Sequence, residues 1–111
     1  MLKPYISIIL LLLTVAVTDV QAQKIPMYIG SYTDPEGNPG INSYLFDTKT
    51  ADVTAVSKTK TLQSSFLARK HKLMLAVNEL TDGNQSISAF HIFPDRLEFI
   101  NKLPTSGSAP C

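Results

Sequence analysis

The sequence predicts an all-β protein: a β-propeller fragment of about two four-stranded antiparallel blades, preceded by a signal peptide. Three observations lead there. From Gln23 onward helical periodicity is absent, and short runs of β-branched and aromatic residues recur between turn-forming clusters. Three successive segments then repeat in order: MYIGSYT at 27 matches MLAVNEL at 74, INSYLFD at 41 matches ISAFHIF at 87, and VTAVSKT at 53 matches LEFINKL at 97. Their separations of 47, 46 and 44 residues keep nearly one offset. A period of about 45 residues, each holding roughly four short strands, is the signature of propeller blades.

The N-terminus sets the compartment. Lys3 supplies a positive charge, Ile6 to Val17 is apolar except for Ser7 and Thr14, and Val20-Gln21-Ala22 offers small residues at cleavage spacing. Residues 1–22 read as a cleaved signal peptide, because the apolar run falls well short of the roughly 20 residues that span a bilayer. The mature chain, 23–111, is expected to be secreted or periplasmic. Its length suits one small domain. The leader removes one lysine and one aspartate, so the net charge stays +1, with no electrostatic footprint for nucleic acid or for a membrane surface after cleavage. The single Cys111 excludes an internal disulfide, so stability has to come from apolar burial.

In chain order, Met27 to Thr33 reads as a first strand, and DPEGNPG at 34–40 as a loop crowded with Pro, Gly and Asn. Ile41 to Phe46 is a second strand, DTKTAD a turn, and Val53 to Lys58 a third, more polar strand. Ser65 to Ala68 is brief and apolar, and Arg69 to Lys72 reads as a basic turn. Leu73 to Val77 is a continuous apolar run, the pattern of a strand covered on both faces. TDGNQ carries a D-G pair suited to reversal, and Ser86 to Ile92 completes a β-hairpin. In LEFINKL, Leu97, Phe99, Asn101 and Leu103 alternate with Glu98, Ile100 and Lys102. By the repeat, Ser64-Ser65 aligns with Pro110-Cys111, so the chain is expected to stop where a further innermost strand would begin. Two blades cannot close a ring, and the first unit lacks an innermost strand of its own, so a fragment is expected.

The chemistry-bearing residues are few. Glu79 is the one carboxylate just beyond a strand read as buried, and it is the candidate for orienting substrate or water, with Asn78 beside it as a candidate substrate contact. A strand-end residue in solvent, and a turn-forming Asn, are the ordinary alternatives. Tyr32 and Thr33 occupy the equivalent place in the first unit, where local hydrogen bonding is the expected role. His71 lies in the basic run RKHK and His91 on a strand face; they share no metal-ligand spacing. Asp34, Glu36, Asp82 and Asn84 form no calcium-loop pattern, and no G-x-S-x-G elbow is present. Asn84-Gln85-Ser86 is a glycosylation acceptor sequence. Cys111 reads as a small buried hydrophobe. No metal or cofactor is expected.

YIGSYT (28–33), GINSYLFD (40–47), SFLA (65–68), LAVNEL (75–80), SISAF (86–90) and PTSGSAPC (104–111) together resemble the opening of the seven-bladed β-propeller lactonases, which include bacterial 6-phosphogluconolactonase. The resemblance covers essentially all of the mature chain. It implies hydrolysis of a sugar lactone, a small-molecule substrate, with the remaining C-terminal blades of the same propeller as the structural partner. The chain departs from the family in RKHKLM, shorter than the usual S-P-D-G-K turn. The family's histidine would fall just after Cys111, and its further His, Arg and Glu positions lie in later blades. The resemblance therefore implies that the chain is inactive alone. A non-catalytic secreted propeller that only binds is the alternative, and a small secreted β domain paired through Cys111 is a third.

Overall fold

The computed structural model describes residues 23–107; residues 1–22, read from the sequence as a signal peptide, and Cys111 lie outside them. Seven strands follow in order: β1 (Lys24–Gly30), β2 (Gly40–Asp47), β3 (Val53–Lys60), β4 (Phe66–Lys70), β5 (Leu73–Asn78), β6 (Ser86–Ile92) and β7 (Leu97–Pro104). No helix occurs among the described residues. The strands form two antiparallel sheets, β1-β2-β3 and β4-β5-β6-β7. The repeat holds element by element, with β1, β2 and β3 answering β5, β6 and β7. The first sheet thus has three strands rather than four, because nothing among the described residues answers β4.

One face of each sheet builds the core. Register places Gly30 opposite Ile41 and Tyr28 opposite Ser43 on the first sheet, and Leu67 opposite Ala76 and Met74 opposite Phe90 on the second. Ile41, Met74, Ala76, Phe90 and Leu97 are buried together, with Tyr28, Leu67 and Ile92 packed around them. Period-two alternation allows this, since every second side chain of a strand faces the same way. Burying Met74 and Phe90 contributes roughly 1.5–3 kcal/mol each.

Several expectations need correction. Strand β1 runs Lys24–Gly30 rather than Met27 to Thr33. Pro26 is tolerated there because β1 pairs only with β2 and is an edge strand. Beyond Gly30 the chain turns away, with Ser31 N donating to Gly40 O at 2.7 Å. Arg69 and Lys70 continue β4 opposite Met74 and Leu73, so the reversal narrows to His71-Lys72, where His71 takes a left-handed φ of 53°. Strand β5 is covered on one face only: Met74 and Ala76 are buried, while Leu73 and Leu75 are each 38% exposed. A bulge at Ala89/Phe90 pairs Phe90 with Phe99 but Ala89 with Asn101. The extra residue reverses the alternation along β7. Phe99 and Lys102 therefore share a face, and Leu103 joins Ile87 on the other.

Two glycines let the sheets meet at one end. A Cβ on Gly30 would strike the Ser64 carbonyl, and one on Gly40 the Thr61 carbonyl; Gly40 also has a φ of 111°, a region that side chains disfavour. Gly40→Ala is expected to lower stability by about 2–4 kcal/mol, read as a shift of the denaturant midpoint of the full-length protein at unchanged slope.

Candidate functional site

The two ends of the sheets are unequal. At one end the connections are 48–52, 71–72 and 93–96; at the other they are 31–39, 61–65 and 79–85. The second end carries the longer loops on a packed scaffold, the usual location of binding groups. It also holds the crossing 61–65, which takes the chain from the outermost strand of one sheet to β4 of the next.

Glu79 lies here, one residue past β5 and half-buried. Its backbone N donates to Gln63 O at 3.0 Å. Tyr32 Oη donates to Glu79 Oε2 at 2.8 Å across 47 residues of sequence. The two positions that the repeat superposes are therefore bonded to each other across the seam between sheets. The Ser65 hydroxyl faces the same carboxylate without completing a hydrogen bond to it. Together the Ser65 and Tyr32 hydroxyls hold the Glu79 carboxyl below its ordinary pKa, because both stabilise the charged form. The same bond to Glu79 raises the Tyr32 phenol. Glu79 is accordingly an ionised acceptor at neutral pH, suited to a substrate hydroxyl or a water.

Asn78 has a different setting. It is 3% exposed, and its Nδ2 donates to Thr61 Oγ1 at 2.8 Å and Leu62 O at 2.6 Å. Its Oδ1 accepts from Ser86 Oγ at 3.2 Å and Ser88 Oγ at 2.6 Å. All four hydrogen bonds of the amide are thus made within the protein, and its geometry supports holding the crossing rather than touching a ligand. Thr33 N donates to Gln63 Oε1 at 3.1 Å, the local bonding expected of that position. Gln63 went unnoticed in the sequence; its left-handed φ of 47° has no sequence signal in a Gln.

The histidines lie elsewhere. His71 is in the two-residue turn and His91 pairs with Leu73, both at the far end of β5, which at roughly 3.3 Å per residue is about 20 Å from Glu79. Among the described residues no three His, Cys, Asp or Glu side chains converge on a metal-sized site. The Tyr32–Glu79 bond yields a reciprocal test. Tyr32→Phe should raise the Glu79 pKa toward the ordinary value of about 4.3, and Glu79→Gln should lower the Tyr32 pKa toward about 10. Carboxyl-carbon NMR and phenolate absorbance titrations read the two, and an unmoved Glu79 in the Phe variant would refute the contact. A depressed carboxyl pKa adds stability above the unfolded value that is lost as pH falls through the folded one, so this contribution disappears on the acid side.

A family model described as Lactonase, 7-bladed beta-propeller matches residues 26–111. A crystal structure of a candidate 6-phosphogluconolactonase from Bacteroides fragilis is 26% identical, with a TM-score of 0.76 over 86% of this chain and 27% of that one. A second, from Bacteroides uniformis, is 26% identical, with a TM-score of 0.74 over 79% of this chain and 26% of that one. This chain thus spans about a quarter of each. No curated protein matches it. With the family model covering nearly all of the described residues, the chain belongs to the seven-bladed β-propeller lactonase family.

Proposed function

We propose that residues 23–111 are the N-terminal blades of a secreted or periplasmic lactonase-like hydrolase that opens a sugar lactone, with residues 1–22 as its signal peptide. The family match carries this reading. The free sheet faces support a longer ring. Phe66, Val77, Ile87 and Leu103 form one register row across the second sheet, with Phe66 56% and Leu103 62% exposed. A further blade packed on that row would bury it.

Ring opening requires water to attack the lactone carbonyl, donors for the developing oxyanion, and a proton for the departing ring oxygen. Glu79 suits the first task. Its Oε2 is held by Tyr32, and as an ionised carboxylate it can accept a proton from water or orient a sugar hydroxyl. The oxyanion donors and any cationic clamp are assigned to later blades, so residues 23–111 are proposed to be inactive alone.

In the full-length protein, Glu79→Gln is expected to lower kcat/KM on gluconolactone by about 100-fold or more. The 23–111 fragment should give no hydrolysis above the spontaneous rate. Wild-type activity in the Gln variant would remove Glu79 from the reaction, and turnover by the fragment would refute the incomplete site. Comparing the phosphorylated with the plain lactone identifies the head group.

A further inference from the structure

Tyr32 and Glu79 follow strands of different sheets, so their 2.8 Å bond needs something to set the distance between the two segments. On the Tyr32 side, Ser64 N donates to Ser31 O at 3.1 Å and Thr33 N donates to Gln63 Oε1 at 3.1 Å. The segment carrying the phenol is thus bonded to the crossing both before and after Tyr32. On the Glu79 side, the backbone N of Glu79 donates to Gln63 O at 3.0 Å, and Leu80 N closes a three-residue turn on Asn78 O at 3.0 Å. Ser65, whose hydroxyl faces the same carboxylate, also donates its N to Gln63 O at 3.0 Å.

Gln63 is common to all three. Its main-chain oxygen receives Glu79 and Ser65, its side-chain oxygen receives the residue after Tyr32, and among the described residues it makes no bond to the Glu79 carboxylate itself. It does this at a φ of 47°, in the left-handed region that few residues other than Gly, Asn and Asp adopt. Such a conformation persists where the surroundings over-determine it, and such residues cluster at functional sites. Gly or Asn would form the turn more readily. Neither, however, carries an acceptor as far from the backbone as the Gln amide, and that reach is what Thr33 N uses.

We propose that Gln63 is a positioning residue for Glu79: with one backbone and one side-chain oxygen it fixes the separation between the Glu79 carboxylate and the Tyr32 hydroxyl. It acts through Thr33 and the Glu79 backbone and is not itself a reacting group. The consequence for turnover rests on the reading of Glu79 as the carboxylate that works on the lactone. The consequence for the Tyr32–Glu79 bond does not.

Gln63→Asn in the full-length protein tests this, because Asn accepts the left-handed turn while its amide stops one methylene short of Thr33 N. Carboxyl-carbon NMR should show the Glu79 pKa rising toward its ordinary value, and phenolate absorbance should show the Tyr32 pKa falling toward its own, since their mutual bond is loosened. In a Tyr32→Phe background, Gln63→Asn should leave Glu79 where Tyr32→Phe alone puts it, as two changes that break one interaction do. On gluconolactone kcat should fall by about 10-fold or more with KM within about 2-fold, the pattern of a displaced reacting group. The acid limb of kcat/KM should move to higher pH together with the Glu79 pKa. Gln63→Gly keeps the turn without strain and should reproduce these shifts, so the test survives a folding defect in the Asn variant. Unmoved Glu79 and Tyr32 pKa values in both variants, or a further rise of Glu79 in the Tyr32→Phe background, would overturn the proposal. Shifted pKa values with unchanged kcat would uphold the placement by Gln63 and remove Glu79 from the reaction instead.

Discussion

The crossing at 61–65 is the constraint on which the rest depends. Leaving an outermost strand and re-entering at the innermost strand of the next sheet deprives its backbone of a ladder, yet buried backbone groups must be paired. Both sheets supply the partners. Thr61 N donates to Pro39 O and Ser64 N to Ser31 O from the first side, while Asn78 Nδ2 and Glu79 N reach Leu62 O and Gln63 O from the second. Gly30 and Gly40 leave no side chain where the crossing passes. The turn at Gln63 brings one carbonyl to both Ser65 N and Glu79 N.

This clamp explains how a lone carboxylate can be functional. Glu79 has its backbone tied to the crossing and one carboxylate oxygen tied to the first sheet through Tyr32, so its direction is set by two elements. Positioning of this kind is what a catalytic or binding group needs from its surroundings. Asn78, adjacent in sequence, has the complementary role because strand alternation turns it into the seam. The loops 31–39 and 79–85 then rise around a fixed floor.

The outward faces are the counterpart of the seam. The apolar row from Phe66 to Leu103 continues on the opposite side of the chain in Ile25 and Val53, both paired with Phe46 and 44% and 52% exposed. A sheet with apolar residues on both faces is patterned for a neighbour on each side, as in the radially repeated sheets of propellers.

Much of this was legible in order and spacing. The repeat, the hairpin around Asp82-Gly83, the all-β class and the place of Glu79 at a strand end follow from period-two patterning and turn chemistry, which are local properties. The start of β1 was not, since Lys24 and Pro26 become strand only by pairing with Asp47 and Leu45. Nor was the bulge that turns Lys102 toward Phe99, because one inserted residue leaves no mark on composition. The sequence by itself determined the modules and their family, since those depend on neighbours along the chain. Only the tertiary structure decided that Tyr32 holds Glu79, that the amide of Asn78 is fully engaged inside, and that Gln63 bonds to both sides of the seam, because each depends on how one sheet is seated against the next.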